Sequence, residues 1–541
     1  MDTSFTELVR EFVYGRFALE PVAATIAGIH SHDHELGDLS AAGFAERRAF
    51  SEEWLARFEH QGETLAPSQE VDRDLILGEL RGERALFPFE RWRRQPGLYS
   101  DLVTRGAYYA LLREYSPMEE RLALLAERLA KAPAALEAAR ANLDPALVPV
   151  EWVAIALRTA PAGAAFLRSD IVAAVPDTAL GRAVRRSVVP AAEAAADALD
   201  RYAAWLRTDL EPKAKGTFAI GRDAYEALLH EKELLPYDAR TLRAFGEELF
   251  AETEAKITAA AKAIGDDDWR DSLARLRVDH PAAEELVATY RAEMERSRTA
   301  VRAAQLATIP YGEDLVVEAM PDFQRTTYPY AAYIAAPPFE SSRRGRFWVT
   351  LPQAGEDERT IRERLEGHPR AGIAVIACHE GYPGHHLQLT VAADHNSLAR
   401  RAIRSNLMVE GWGLYVEELM TELGYLDQPD TSLLRLKDLL WRAARVVVDV
   451  GLCTGEMTFD EAVTYMVERP KLEAPNALAE VRRYTLTPTQ PSSYALGRAS
   501  ILELRERARG KGWGMRLFHD KLLGAGSLPP KLLARDTGLD T

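Results

Sequence analysis

The sequence predicts a mainly α-helical protein of many helices that carries one small β-sheet. Leu122, Leu125 and Leu129 follow the i, i+3, i+7 spacing of one helix face, and apolar residues recur at steps of four from Leu286 to Met294. Such spacing is typical of amphipathic helices that bury one face in a core. High helix propensity also marks the Ala-rich stretches 133–142, 190–206 and 251–264.

The helical pattern is interrupted between about residues 307 and 352, where prolines and β-forming residues gather in IPYGEDLVVEAMP, YAAYIAAPP and GRFWVTLP. In the last segment, Phe347, Val349 and Leu351 alternate with Trp348 and Thr350. This period of two is expected for a strand with one buried face. The region therefore predicts a small sheet inserted in a helical protein.

The length of the chain predicts more than one lobe. At 541 residues, of which 47% are hydrophobic, it is past the size at which a single core stops growing. The change of pattern divides it into an N-terminal helical lobe, 1–300, and a second lobe, 301–541, with the sheet and the C-terminal helices. The intervening loops resemble connections rather than domain linkers, so we expect one unit over 1–541.

Charge and cysteine content restrict the partners and the compartment. The chain has 67 Lys and Arg residues against 82 Asp and Glu residues, a formal net charge of −15, whereas a surface that binds nucleic acid needs a basic excess. The N-terminus lacks the pattern of a secretory signal, and no run of about 18 apolar residues is present. The two cysteines provide no disulfide framework. We expect a cytoplasmic protein without nucleic acid or membrane partners, and the oligomeric state is not indicated.

The main chemical signal is the run HEGYPGHHLQ at residues 379–388. The zincin pattern H-E-x-x-H places two imidazoles one helical turn apart, with the Glu positioned to take a proton from metal-bound water. Here the fourth residue after His379 is Pro383, and the next histidines are His385 and His386. On an unbroken helix His386 would share a face with His379 but lie about 10 Å along the axis, at roughly 1.5 Å per residue. One zinc with bonds of about 2.0–2.1 Å cannot join two such residues.

A metal site in this run therefore requires the helix to bulge. Pro383 removes a backbone donor and disfavours helix at Tyr382, while Gly384 tolerates unusual dihedral angles, so the sequence permits a bulge. The alternative is a helix-breaking loop whose histidines are polar surface groups or hydrogen-bonded core groups.

A third ligand candidate follows in EGWGLYVEEL at residues 410–419. Glu410 lies 25 residues after His385, within the range by which zincins bring a carboxylate from the following helix. Two His and one Glu leave the fourth zinc position open for water, which is the catalytic arrangement. Glu417, seven residues later, is a candidate to orient a ligand histidine through a hydrogen bond. A solvated or core carboxylate is the alternative for Glu417.

In these motifs the chain resembles the bacterial DUF885 family (domain of unknown function 885). The resemblance extends to RYTLTPTQPSSYALGRASILELRERA and LFHDKLLGAGSLP near the C-terminus and to ATIAGIHSHDHELGDLS near the N-terminus, so it covers nearly the whole chain. It implies a fold similar to the carboxypeptidase Taq group of zinc metallopeptidases, a zincin-like multi-helix protein with a cleft between helical lobes. It implies a zinc cofactor but little about the substrate.

Carried over residue by residue, the resemblance makes His379 and Glu410 metal ligands and Glu380 the general base. His385 is the expected second histidine ligand, because related metallopeptidases commonly have a Gly before that ligand and an apolar residue two positions after it, as here. His386 is then a nearby donor with a catalytic role. The roles of His385 and His386 could be exchanged.

The chain departs from the family pattern at two positions. Pro488-Thr489-Gln490 stands where members often show Pro-Gly-Gln, and Cys453 stands where they often have a His. If a histidine at this position contributes to activity, Cys453 would lower the activity of this chain. Many relatives are lipoproteins, whereas this sequence shows no such leader.

Further residues are candidates for contact with a substrate. Tyr494 is the expected donor to a developing oxyanion, and Arg483 and Arg498 are candidates to bind a substrate carboxylate. A buried core tyrosine and two structural ion pairs are the alternatives. The strand at 347–351, with Trp348, lies where zincins place an edge strand that pairs with a peptide, although an internal strand is equally compatible.

The sequence thus predicts a zinc-dependent hydrolase, most simply a metallopeptidase of carboxypeptidase or oligopeptidase type that cleaves short peptides. A zinc amidohydrolase acting on a small amide or ester would use the same residues. A metal-free helical binding protein with a degenerate peptidase cleft would fit Cys453 and the absence of the second zincin histidine.

Overall fold

The computed structural model describes residues 4–62, 64–321, 330–353 and 355–540, and helices make up most of them. Up to residue 205 the helices are α1 (Phe5–Leu19), α2 (Pro21–Ala27), α3 (Ala41–Glu59), α4 (Pro67–Leu86), α5 (Gly97–Leu112), α6 (Met118–Leu129), α7 (Ala132–Asn142), α8 (Val150–Ala173) and α9 (Ala179–Trp205). The predicted helices that contain Leu122 and the Ala-rich stretches 133–142 and 190–206 are therefore confirmed.

The remaining chain holds the sheet and the C-terminal helices. In order, its elements are α10 (Arg222–Ala227), α11 (Ala239–Ala263), α12 (Trp269–Arg277), α13 (Leu286–Ala303), β1 (Asp314–Ala319), β2 (Ala331–Ile334), β3 (Arg344–Val349), α14 (Glu358–Leu365), α15 (Arg370–Glu380), α16 (His385–Ala393), α17 (Leu398–Ala402), α18 (Asn406–Glu422), α19 (Pro429–Thr454), α20 (Phe459–Glu468), α21 (Ala474–Tyr484), α22 (Gln490–Gly510), α23 (Met515–Gly524) and α24 (Pro530–Thr537).

The chain divides into two compact units. The first comprises the described residues up to 65, residues 79–220 and residues 337–341, and the second comprises residues 66–78, the described part of 221–336, and the described part of 342–541. Within the first unit, α8 packs against α5 and α9, and α6 packs against α9. All the candidate site residues belong to the second unit.

The predicted small sheet lies in the second unit, although residues 322–329 of the predicted region are outside the described residues. Its three strands are ordered β1-β3-β2, with β1 parallel and β2 antiparallel to β3. Val317 and Tyr333 both pair with Phe347. One face of the sheet packs on α13 and α15 through a buried cluster that includes Tyr290 and Ile373. The sheet therefore supports α15, the helix that carries His379.

The structure corrects the expectation of a peptide-binding edge strand at 347–351. Strand β3 is the middle strand, so β1 and β2 already occupy both of its hydrogen-bonding sides. Trp348 is 1% exposed and its indole N–H donates to Glu318 at 2.9 Å. Trp348 therefore presents no surface to a substrate in this structure, and the internal strand is the correct alternative.

Within the described residues, α8 is the one helix that is long and apolar enough to cross a membrane by length and composition. Its mean hydropathy reaches 1.2 over an 18-residue window, of which 44% is buried inside the protein. Residues such as Trp152 and Phe166 are buried in the first unit. A single helix of this kind is weak evidence for a membrane span, because core helices of soluble proteins share these properties.

Candidate metal centre

The helix predicted to bulge after His379 is interrupted. Helix α15 ends at Glu380 and α16 begins at His385, and the four residues between them include a cis Tyr382–Pro383 peptide bond. The indole N–H of Trp412 on α18 donates to the carbonyl of Pro383 at 2.8 Å and fixes this connection. A Cβ atom at Gly384 would lie 1.8 Å from the carbonyl oxygen of His379, so the chain can turn back here only with glycine.

The interruption brings His379, Glu380 and His385 together. One potential ligand atom from each lies within 4.8 Å of the others, and the two imidazole centroids are 4.6 Å apart. Among the described residues this is the one group of three or more such side chains so arranged. Both histidines are buried, whereas Glu380 is partly exposed. The group could hold a metal ion.

Helix α18 orients the first histidine. The Nδ1 of His379 donates to Glu417 Oε1 at 2.7 Å, which leaves Nε2 as the nitrogen available to a metal. Glu417 is buried, and its other oxygen has no hydrogen-bond partner among the described residues. A Cβ atom at Gly413 would lie 2.6 Å from the His379 ring, so this glycine provides the space for the imidazole. Glu417 thus has the position of a carboxylate that fixes a ligand imidazole.

Glu410, also on α18, lies beside the second histidine. Its Oε2 is 3.3 Å from His385 Nε2, and its Oε1 accepts from the amide of Gln490 at 3.3 Å. Burial raises the pKa of Glu410, but the hydrogen bond with His385 and the charges of His385, His379 and Arg445 outweigh burial and lower it to about 2. Glu410 is therefore a carboxylate at neutral pH, the form that binds metals.

The donor set fits a transition-metal ion. The group contains two imidazoles and the Glu380 carboxylate, and Glu410 adjoins it at His385; one imidazole is oriented through its other nitrogen, and His385 Nδ1 is buried with no hydrogen-bond partner in the described chain. Imidazole and carboxylate together suit zinc and neighbouring first-row metals.

His386 belongs to a separate buried network. Its Nε2 donates to Glu313 at 2.9 Å, and its Nδ1 accepts from the Tyr333 hydroxyl at 3.0 Å. Glu313 also accepts hydrogen bonds from Tyr382 and Arg298. Burial raises the pKa of Glu313, but the hydrogen bonds from His386 and Tyr382 outweigh it and lower the pKa to about 2. Because both nitrogens of His386 are engaged, the structure places His385, and not His386, with His379.

The predicted substrate contacts differ in their placement. The Tyr494 ring lies 6.4 Å from the His379 ring and nearly parallel to it, and its hydroxyl accepts from Gln490 at 3.4 Å. Burial raises the pKa of Tyr494, so the hydroxyl keeps its proton. Arg483 donates to the other end of the Gln490 amide at 3.0 Å. Arg498 instead donates to Glu418 at 2.7 Å.

Cys453 takes part in a buried hydrogen-bond cluster rather than in the metal-binding group. Its thiol donates to Asp449 at 3.4 Å, and Asp449 also accepts from Ser492 at 2.6 Å and from Tyr225 at 2.9 Å. Burial raises the pKa of Asp449 to about 6, although these hydrogen bonds oppose the shift. The cluster joins α10, α19 and α22, so Cys453 contributes a donor to the support of α22.

The sequence did not reveal four residues of this region. Gln490 links Glu410 to Tyr494, and Trp412 fixes the connection before His385. Trp412 lies in the motif EGWGLYVEEL and Gln490 in the C-terminal motif RYTLTPTQPSSYALGRASILELRERA, but nothing else in the sequence indicated a role for either. Glu313 lies in the β-rich segment IPYGEDLVVEAMP and Arg445 in no motif. Neither was a candidate, because their roles depend on partners that are distant in sequence.

Thr489, at the departure from Pro-Gly-Gln, has φ of 69° and ψ of −23° directly before α22. For a β-branched residue this left-handed conformation is strained by about 1–2 kcal/mol. We expect Thr489→Gly to stabilise the protein by about 1 kcal/mol, since relief of strain exceeds the entropy cost of glycine. Guanidinium denaturation followed by tryptophan fluorescence measures this change. Thr489→Ala keeps a Cβ atom and should give less of the gain, and a Gly variant no more stable than wild type would contradict the argument.

Comparison with known proteins gives a family and a fold. Residues 21–536 match the family described as "Bacterial protein of unknown function (DUF885)". A solved candidate lipoprotein of unknown function from Shewanella oneidensis is similar, with 23% identity, a TM-score of 0.80, and 98% of this chain and 99% of that chain covered. A candidate lipoprotein from Colwellia psychrerythraea has 20% identity and a TM-score of 0.83, with both chains fully covered. No protein with a curated description matches the sequence.

Proposed function

We propose that this chain, which belongs to the bacterial DUF885 family of unknown function, is a zinc-dependent hydrolase of short peptides or small amides. The observation that carries the proposal is the convergence of His379, Glu380 and His385, with Glu410 against His385. A helix-breaking loop without a metal site would not require these four side chains to lie close together. The resemblance to the carboxypeptidase Taq group supports a peptidase.

In this proposal His379, His385 and Glu410 hold the ion, and Glu417 keeps the His379 ring in place. When bound, zinc acts as a Lewis acid that polarises a carbonyl oxygen and lowers the pKa of a coordinated water to about 7. Two histidines and one glutamate would leave room at the ion for such a water.

Glu380 is the proposed general base. Its carboxylate accepts a proton from the attacking water as the water oxygen bonds to the carbonyl carbon. It then delivers this proton to the amide nitrogen, which leaves as an amine when the carbon–nitrogen bond breaks. Tyr494, whose hydroxyl keeps its proton, donates to the carbonyl oxygen as negative charge develops there.

We expect the protein, purified without a His-tag, to bind about one zinc per chain, because the residues that the structure describes form one such group. Elemental analysis measures the content before and after incubation in zinc-supplemented buffer. A panel of short peptides, N-blocked peptides and small amides should show turnover that a chelator removes and zinc restores. Absence of metal in both preparations would contradict the proposal and favour a metal-free binding protein.

Turnover of small amides without turnover of any peptide would favour a zinc amidohydrolase instead.

Several expectations from the sequence stay predictions: the carboxypeptidase Taq-like cleft, the lobes 1–300 and 301–541, and the cytoplasmic location. The candidate lipoproteins of similar fold make an envelope location the alternative to test for this chain.

A further inference from the structure

A cluster of cationic side chains lies on the Tyr494 side of the metal-binding group. The guanidinium carbons of Arg445 and Arg442 lie 4.7 and 5.8 Å from the centre of the Tyr494 ring. Arg483 reaches the same place through Gln490, whose amide contacts both Tyr494 and Glu410. The three arginines come from α19 and α21, and this group is called the arginine cluster below.

The arginine cluster carries more positive than negative charge. Glu480 accepts from Arg445 at 3.0 Å and from Arg483 at 2.8 Å, so one carboxylate serves two guanidinium groups. Asp438 lies 3.3 Å from Arg442 and 3.6 Å from Lys437, so it also serves two cations. These four cations thus share two carboxylates, and Glu410, whose pKa the charge of Arg445 lowers, is a third carboxylate nearby. An additional anion in this place would be stabilised by the surplus.

Two guanidinium groups show incomplete pairing. Arg445 is 4% exposed, and its Nη1 is buried with no hydrogen-bond partner among the described residues. Hydrogen bonds to Gln490 and Glu480 use two of the five N–H donors of Arg483, whose side chain is 38% exposed. Arg483 is therefore the arginine that an incoming ligand can reach. The buried Arg445 donates to Glu480, the same carboxylate that Arg483 contacts.

The distance from this cluster to the metal-binding group suits a small substrate. Hydrogen bonds of 3.3 and 3.0 Å, joined by the single amide of Gln490, connect Glu410 to Arg483. Extended peptide advances about 3.5 Å per residue, so the path corresponds to fewer than about three residues. Carboxylates match guanidinium groups in geometry and charge.

We infer that the substrates carry a carboxylate within one or two residues of the cleaved amide bond, and that Arg483 binds it. This inference rests on the proposed hydrolase function and narrows its substrate class. The carboxylate is either the C-terminus of a short peptide or an acidic side chain. Both sources present the same group to Arg483, and different substrates distinguish them.

The test compares peptide binding to the zinc-loaded Glu380→Gln variant, which should hydrolyse the peptides about 10²- to 10⁴-fold more slowly than the wild type. Isothermal titration measures the dissociation constants of N-acetyl-trialanine, its C-terminal amide, and amidated N-acetyl-Ala-Asp-Ala. We expect the free acid to bind about 10- to 100-fold more tightly than the trialanine amide, the range for hydrogen bonds between charged groups. If an acidic side chain is the source, the aspartyl amide should instead be the peptide that binds more tightly than the trialanine amide.

Matched arginine variants in the same background locate the effect. Arg483→Gln should remove the preference for the free acid, and Arg483→Lys should restore part of it. Arg359→Gln makes the same charge change on exposed α14 and should leave the preference intact. Equal binding of all three peptides, or a preference that survives in Arg483→Gln, would overturn the inference. Zinc content and turnover by the wild-type enzyme report separately on the proposed function, and therefore distinguish the two failures.

Discussion

Glu380→Gln is expected to retain its zinc while hydrolysis slows by about 10²- to 10⁴-fold, the usual contribution of a general base. The amide is nearly isosteric with the carboxylate but cannot accept the proton of the attacking water. Glu380 directly follows His379, and the helix is interrupted only after Glu380. Its position relative to the first histidine is therefore that of the Glu in the H-E-x-x-H pattern.

Two measurements are needed for this variant, because Glu380 itself lies in the group that could hold the ion. Elemental analysis determines whether zinc stays, and initial rates on the best peptide substrate determine the loss of turnover. Glu363→Gln, on the exposed side of α14, makes the same chemical change as a control. Wild-type turnover by Glu380→Gln with zinc retained would assign the base role elsewhere, whereas loss of zinc would make Glu380 a ligand.

His385→Ala is expected to weaken zinc binding by more than about 100-fold, whereas His386→Ala should weaken it by less than that. Loss of a partner behind a ligand typically costs about 10- to 100-fold in metal affinity, and loss of a ligand costs more. His385 meets His379 and Glu410, while both nitrogens of His386 are engaged by Glu313 and Tyr333. The adjacent substitutions therefore form a matched pair.

Without metal, we expect the order of the two variants to reverse: His386→Ala should be less stable than His385→Ala. His386→Ala removes the imidazole that bonds to both Glu313 and Tyr333; Glu313 keeps Tyr382 and Arg298, so the expected cost is about 1–3 kcal/mol, mainly from the lost partner of the Tyr333 hydroxyl. Competition with a chelator measures zinc affinity, and thermal unfolding of the metal-free protein measures stability. If His386→Ala loses zinc and His385→Ala keeps it, the assignment of the two histidines is reversed.

Local features of the sequence were sufficient for most of the helices and for the existence of the sheet. The periodic residues Leu286, Tyr290 and Met294 are buried on one helix, as their spacing predicts. The interruption after Glu380 also followed from local chemistry, because Pro383 disfavours helix in the residue before it. Such predictions succeed because dihedral preferences and side-chain periodicity act over a few neighbouring residues.

The position of β3 was not determined by local sequence. Its alternating residues predict a strand with one buried face, and this pattern is the same for an edge strand and a middle strand. Two pairings make β3 the middle strand. One is with β1, whose Asp314 pairs with Arg344, 30 residues later, and the other is the antiparallel pairing with β2. Strand order depends on contacts between segments, so the expectation of an edge strand at this place was wrong.

The sequence by itself determined which residue types were available for chemistry and where the helix had to break. Only the tertiary structure decided that His385 meets His379 while the adjacent His386 pairs with Glu313, since consecutive residues on a helix point in different directions. It also decided that Gln490 joins Glu410 to Tyr494. A Cβ atom at Gly411 would lie 2.4 Å from Gly497, so α18 and α22 approach almost backbone to backbone. This packing brings together side chains 80 residues apart, a distance over which local preferences carry no information.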